Sequence, residues 1–299
     1  MRLHGVGALA LAILASATSC QAFLVDDRGG GAANVTSQPD ASEPSKPDAA
    51  SARDATSEGP TSAYGALVLA DGAFAYWSFD GPTPLEDHVE RRVAKRGGSP
   101  DVQWVPGAVG QGASSSGGGE YLQVDDATGA FDLLHDQSFS VEVWVRANTF
   151  KNAYNDFLER RVTPSPPAFF NGFTWGMRGT TGRAAFSMWF PPTTPDAATG
   201  EGLLEFIDNG PIAAGPKTPF VHLVLTHAAG GAYGLFVDGN GSGSQFYPAS
   251  GADSAGPHPM PTQPLWIGAR LDGVIDELAF YRKELSLEQI KSHEAKGRR

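Results

Sequence analysis

Apolar and polar residues alternate with a period of two through most of the chain beyond residue 64. The clearest run is 138–146, where Phe139, Val141, Val143 and Val145 fall on one face and Ser140, Glu142, Trp144 and Arg146 on the other. A half-buried strand has this pattern. Shorter runs at 73–79, 121–124, 156–160, 172–178, 183–190, 202–207 and 265–268 are bounded by Gly, Pro and Asp. The pair 220–226 and 233–238 predicts a hairpin turned through 227–232. Many short strands between such turns specify an all-β, two-sheet antiparallel β-sandwich. The helical signal sits near the end: Ser286 followed by Gln289 is a capping-box pattern leading into Ile290 and Lys291, and it predicts one short C-terminal helix. The stretch 271–282 reads as a closing strand with Val274, Asp276, Leu278 and Phe280 on one face. A carboxylate among core residues is costly unless it is hydrogen-bonded, paired or bound to a cation, so Asp276 demands a partner.

The first residues depart from this pattern. Arg2 precedes an apolar run over 3–17, shorter than the ~20 residues that a bilayer span needs, and this is the form of an export signal. The run ends Ala17-Thr18-Ser19-Cys20, which resembles a bacterial lipobox. That resemblance implies signal cleavage before Cys20, a diacylated Cys20 and a membrane anchor; an ordinary cleaved signal with an incidental cysteine is the alternative. Gln21 after the cysteine implies, by analogy with diderm sorting, the outer membrane. Residues 21–63 are dominated by Ala, Ser, Pro, Gly, Thr and Asp, a composition that cannot bury enough apolar area to offset its ordering entropy. They predict a disordered stalk carrying a single domain over 64–299. Cys20 is the only cysteine, so no intrachain disulfide supports the fold. Net charge is −11, and neither basic cluster, at 91–96 or 296–299, is interleaved with aromatics. Nucleic acid is excluded as a partner on this basis.

Four blocks in sequence carry a family resemblance: Ala75-Tyr76-Trp77-Ser78-Phe79-Asp80-Gly81 with Asp87 following; the Gly-rich 107–112 leading to 120–124 and 139–145; His222–Thr226 with 234–239; and Gly273-Val274-Ile275-Asp276-Glu277-Leu278-Ala279-Phe280-Tyr281 with 285–290. In this order and spacing they resemble the laminin-G-like domain of the concanavalin A-like lectin/glucanase superfamily, in its bacterial jelly-roll form. Val221 stands before His222 where that family usually has Trp. The stretches 151–171, 191–219 and 240–264 are long and rich in Pro and Gly, and specificity would reside there. The resemblance implies a jelly roll and one structural Ca2+ between the two ends of the domain, held by Asp80 and Asp276, with Asp87 matching a further acid. The first and last strands should then lie together with Asp80 and Asp276 converging. The alternative is that Asp276 is satisfied by backbone N–H groups.

Sugar recognition needs exposed aromatic faces beside polar groups. Trp144, Trp175 and Trp189 are the candidates, with Phe169 and Phe170 at the border of a long stretch; the alternative is that they pack the core. Glycoside hydrolysis needs two carboxylates about 5–10 Å apart. Enzymes of the superfamily carry Glu-x-Asp-x-x-Glu on one strand face; here Glu201 and Glu205 share parity but Asp208 does not, and the spacing differs. His88, His135, His222, His227, His258 and His293 are scattered, and no zinc-protease, nucleophile-elbow or phosphate-loop motif is present. The expectation is a lipid-anchored surface protein with a non-catalytic module that binds a glycan or a protein partner. A polysaccharide hydrolase of the same fold and a structural surface-assembly protein are the alternatives.

Overall fold

The computed structural model describes residues 62–162, 171–190, 202–245, 259–260 and 262–298. Cys20, Phe169, Phe170, Glu201 and His258 lie outside the described residues. A helix α1 (Ala63–Ala70) opens the described part. The strands are β1 (Ala73–Trp77), β2 (Lys95–Gly97), β3 (Gln103–Pro106), β4 (Gln111–Ser116), β5 (Tyr121–Val124), β6 (Phe139–Thr149), β7 (Tyr154–Val162), β8 (Asn171–Arg178), β9 (Arg183–Phe190), β10 (Gly202–Pro211), β11 (Val221–His227), β12 (Tyr233–Val237), β13 (Asn240–Gln245), β14 (Leu265–Ile267) and β15 (Asp272–Tyr281), followed by α2 (Leu287–Gly297). They form two sheets. One runs β13-β12-β11-β6-β15-β4-β3 with β1 also paired to β15, and the other runs β10-β9-β8-β7-β14-β5-β2. Every strand pairing is antiparallel.

The expected alternation of β6 is realised. Phe139, Val141, Val143, Val145 and Ala147 point between the sheets, where they meet Phe173, Trp175, Met177, Phe186 and Met188 of the facing sheet. Such burial contributes roughly 25 cal/mol per Å2 of apolar surface removed from water, and it is the main support for a chain with no disulfide. β11 and β12 form the expected hairpin, with Leu223 opposite Val237 and His227 opposite Tyr233.

β15 departs from strict parity. A bulge between Asp276 and Ala279, with Glu277 at φ 54°, inserts a residue and swaps the faces. Ile275, Leu278 and Phe280 therefore join the inter-sheet core, while Ala279 and Tyr281 lie in the cluster on the outer face. The expectation that Val274, Asp276, Leu278 and Phe280 share one face is corrected. The bulge lies where the neighbour of β15 changes, because β4 pairs with residues 272–275 and β1 with residues 278–281.

Two helices cover the outer face of the first sheet. α2 begins with the expected capping box: Ser286 accepts from Gln289 N, and Gln289 accepts from Ser286 N. α1 was not expected. Ser62 caps it by accepting from Gly65 N, and Tyr64, Gly65 and Val68 are buried. An eight-residue helix without a capping box is marginal alone, so packing against the sheet holds it. β2, β3, β4 and β13 are further strands that the alternation did not single out. No helix among the described residues is long and apolar enough to cross a membrane.

Candidate functional site

The outer face of the seven-stranded sheet carries a cleft. In β8, Phe173, Trp175 and Met177 point into the core, which sends Thr174 and Arg178 outward. In β9, Ala184, Phe186 and Met188 point inward, which sends Ser187 and Trp189 outward. β7 has a bulge between Asp156 and Leu158, so Phe157 and Leu158 both enter the core and Tyr154, Asp156, Glu159 and Arg161 reach the outer side. Glu205 of β10 lies in register with Ser187. Arg270, in the turn after β14, completes the rim; its backbone N–H donates to Asp156 O at 3.1 Å.

Tyr154, Asp156, Arg161, Thr174, Arg178, Trp189, Glu205 and Arg270 enclose a cavity of about 250 Å3. That is below the ~300–1,000 Å3 of a drug-sized ligand site and suits one small polar ring. The guanidinium of Arg161 lies 5.4 Å from the Trp189 ring centre and that of Arg178 lies 4.1 Å from the Tyr154 ring centre. Arg161 Nε bonds Glu159 at 2.8 Å. Arg178 donates through Nη2 to both Glu205 and Ser187, and Ser187 Oγ donates to Glu205 at 3.0 Å. Burial, reinforced by the Glu159 charge, pushes the Asp156 carboxyl up to about 6, against the pull of Arg270, Arg161 and Arg178. Aromatic edges, hydrogen-bonding donors and acceptors, and a partly dry floor are the components of a small-molecule site.

Of the three tryptophans expected to touch ligand, only Trp189 borders this cleft. Trp175 is corrected: it is fully buried between the sheets, because its parity along β8 is that of Phe173 and Met177. Trp144 is corrected too. It does point away from Val141 and Val143, but it is only 1 % exposed, stacked on His222 at 4.8 Å and covered by α2 so closely that a Cβ at Gly297 would collide with its ring.

Beneath α2 lies a buried charged network. Glu142 accepts from Tyr64 Oη and Tyr281 Oη, both at 3.0 Å, and bonds His293 Nδ1 at 2.8 Å. His293 Nε2 bonds Asp71 at 2.7 Å. Both imidazole nitrogens thus face carboxylate acceptors, the geometry of a protonated ring. Burial opposes the charge, but Glu142 and Asp71 outweigh it and raise the His293 pKa. Burial would likewise push Glu142 up, yet His293 and His222 hold it well below the usual carboxylate range.

The acids expected at a metal are divided. Asp87 is fully buried and its oxygens accept the backbone N–H groups of Val89, Glu90 and Arg92 at 2.8–2.9 Å. It organises its own turn, which corrects its assignment as a ligand beside the others. Asp80 and Asp276 do converge. Asp80 accepts from Gln111 N at 2.6 Å and Asp276 from Val109 N at 2.9 Å, so one loop serves both carboxylates. That loop needs glycine, since a Cβ at Gly107 would strike Asp276 and one at Gly110 would strike Asp80. Burial raises the Asp276 pKa, and the charge of Asp80 adds to it against the Val109 amide. Glu277 rises through burial and then Asp276; one of its oxygens accepts from Tyr76 Oη and the other, Oε1, is buried without a partner. Among the described residues no three metal-ligating side chains gather at one point, so a cation here would rely on Asp80, Asp276 and main-chain carbonyls.

The sequence reading missed Tyr154, Asp156, Arg161, Thr174, Arg178 and Arg270. The alternation of β8 contained a signal, because any parity that buries Trp175 exposes Arg178.

Residues 116–291 match the family model of the laminin-G type described as the concanavalin A-like lectin/glucanases superfamily. No relative is found among curated proteins. Two toxin binding domains share the fold, and a third solved structure aligns more loosely. The binding domain of botulinum neurotoxin serotype D aligns with 15% identity and a TM-score of 0.53, covering 77% of this chain and 52% of that one. The binding domain of botulinum neurotoxin DC, solved in complex with rat synaptotagmin II, aligns with 14% identity and a TM-score of 0.52, covering 76% and 52%. Domain 4 of AbnA, an extracellular arabinanase from Geobacillus stearothermophilus solved with arabinotriose, aligns with 18% identity and a TM-score of 0.49, covering 74% and 97%. The chain spans about half the length of the toxin binding domains it matches.

Proposed function

This chain belongs to the concanavalin A-like lectin/glucanase superfamily, and we propose that it is a non-catalytic binding module that takes a saccharide in the cleft between Trp189 and Arg178. One observation carries the reading: the outer face of the seven-stranded sheet gathers two aromatic rings, three arginines and two carboxylates around one small cavity. The corresponding face of the other sheet is largely covered by α1 and α2, and the cavity of about 260 Å3 left there beside Trp144 and Phe220 is lined by one guanidinium, Arg298, and no carboxylate. Glu205, which belongs to the acidic stretch weighed for hydrolysis, is tied to Arg178 and Ser187, which favours holding a ligand over turning it over. Binding domains of toxins share the fold, and a protein partner is the competing ligand class.

A glycan array probed with the mature protein, followed by product analysis on each hit, tests this reading. Binding without product, weakened about tenfold in Trp189→Ala, is the expected result. Product release abolished by Glu205→Gln would instead establish a hydrolase. No glycan bound and no product formed would leave a module for a protein partner and the surface-assembly protein.

The module is further proposed to be presented from a lipid anchor at Cys20, on the sequence grounds of an export signal ending in that cysteine. Radiolabelled palmitate should enter the wild type and not Cys20→Ser. The convergence of Asp80 and Asp276 supports a structural Ca2+ at the junction of β1 and β15, where it would relieve the repulsion between the buried Asp276 and the partly exposed Asp80. Calorimetry on chelator-stripped protein should show uptake and a raised Tm. Neither would occur if backbone amides, those of Val109, Gln111 and Glu277, are the only partners of these acids.

A further inference from the structure

We infer, on the premise that the cleft binds a saccharide, that the bound sugar carries a carboxylate, seated between Arg178 and Arg270. The pairing of the charges in the cleft motivates this. Arg161 and Glu159 form a close pair at 2.8 Å. Glu205 receives Nη2 of Arg178, but Nε and Nη1 of Arg178 are buried with no acceptor. Buried donors without partners are few in native proteins and call for an explanation. Arg270 is 43 % exposed, and its nearest carboxylate oxygens, on Glu159 and Asp156, stand at 3.7 and 3.9 Å, beyond hydrogen-bond length. Two guanidinium groups in one cavity therefore retain donors to spend.

Guanidinium is the side chain best matched to a carboxylate, because its planar fork donates two parallel hydrogen bonds that are each stronger for being charge-assisted. Tyr154 is the cover over Arg178. Its ring lies on the guanidinium, yet Tyr154 is 49 % exposed, so rotation of this one side chain opens Arg178 to a ligand. Burial pushes the Asp156 carboxyl up to about 6, so below that pH it is a neutral donor to the ligand, while at neutral pH it is charged and the two guanidinium groups must outweigh it. Glu159, Glu205, Arg161, Arg178 and Arg270 are the other charged groups that face it. A neutral sugar would use the same aromatic rings but would gain nothing from the charge of Arg270.

The test is an array of oligosaccharides containing galacturonic, glucuronic, guluronic or sialic acid, each beside its neutral methyl ester, probed with the mature protein and followed by calorimetry on the hits. The expected result is that an acid binds about tenfold tighter than its own ester, that the gap narrows at high salt, and that Arg270→Gln and Arg178→Gln each reduce it. Arg270→Lys, which keeps the charge without the fork, should recover only part of it. Thermal melting of each variant separates lost binding from lost folding. Hits confined to neutral sugars, or esters that match their acids, would overturn the inference and leave the saccharide reading standing. No hit in either half of the array would overturn both.

Discussion

The two sheets present outer faces made by the same alternation and finished in opposite ways. On the eight-stranded sheet, Glu142, Trp144, His222 and Val224 project outward from β6 and β11, and α1 and α2 close over them. The charged groups there are bonded to one another: Glu142 to two tyrosines and His293, and His293 to Asp71. On the seven-stranded sheet, Asp156, Arg161, Arg178 and Trp189 project outward around a cleft, and Arg178 keeps donors with no acceptor. A polar group removed from water costs energy unless it is paired. The closed face meets most of that cost within the chain through the Glu142 network, although Trp144 Nε1 and both ring nitrogens of His222 are buried there without a partner; on the open face the unpaired donors belong to a charged guanidinium. What differs is where the unpaired donors stand: those of Arg178 belong to a residue at the wall of a cavity, whereas those of Trp144 and His222 belong to rings stacked on one another.

This contrast predicts opposite responses to substitution. Glu142→Ala should cost about 3–5 kcal/mol, the loss expected when one partner of a buried charged network is removed, and should show as a lower midpoint in denaturant with the cleft still competent in the cold. Asp156→Asn should do the reverse. The folded protein holds the Asp156 carboxyl near 6, above the ~3.9 of an unfolded chain, so its contribution is fully present below pH 4 and is lost as pH rises through 6. Asparagine does not titrate. The variant should therefore be more stable than wild type at pH 7.5, by at most ~3 kcal/mol from two pH units, and should show no such gain at pH 4. A residue of a binding site, as proposed for Asp156, is commonly held at a cost to stability. Equal destabilisation by both substitutions would remove the distinction between the faces.

Much of this architecture was legible in the chain. The period of β6 and the capping box of α2 needed no structure, and the resemblance of the first and last blocks foretold that Asp80 and Asp276 would meet. The illegible parts have physical causes. A bulge shifts parity by one residue without a reliable local signature, and two of them decide which side chains of β7 and β15 face outward. α1 consists of eight mostly apolar residues whose helical state depends on the surface it covers. Trp144 looked exposed because its parity is outward, and only the position of α2 shows that outward is not the same as free. Arg270 comes from a turn, where periodicity says nothing about direction.

A smaller effect separates the faces by pH. His293 is raised by Glu142 and Asp71 against its burial, so its stabilising charge is fully present below the unfolded value of ~6.5 and is lost as pH climbs through the higher folded value. Glu142 is held low, so its contribution is present above the unfolded ~4.3 and is lost on acidification. Stability of the helical cap should thus peak between these limits. His293→Gln should flatten the alkaline side in a series of denaturant midpoints and leave ligand affinity in the cleft unchanged. An alkaline slope identical in the variant would show that His293 does not carry the linkage.

The smallest expected effect on stability comes from Trp189→Ala, and it is the most informative about the open face. Trp189 is half-buried on the outside of β9, with Arg161 over its ring, and it takes no part in the inter-sheet core. Its removal should change the unfolding free energy by only ~0.5 kcal/mol, in the range of surface substitutions away from special features. The same change should weaken saccharide binding about tenfold, equivalent to ~1.4 kcal/mol, since an aromatic ring supplies the flat apolar face against which a sugar packs. Trp175→Ala is the matched control, because that ring is buried in the core of the same sheet and its loss should cost ~3–5 kcal/mol of stability. If Trp189→Ala instead melts the protein as Trp175→Ala does, the ring is a structural cover and the face is closed after all. If it alters neither stability nor binding, the ligand sits on the arginine side of the cleft, and Arg178 and Arg270 carry the recognition alone.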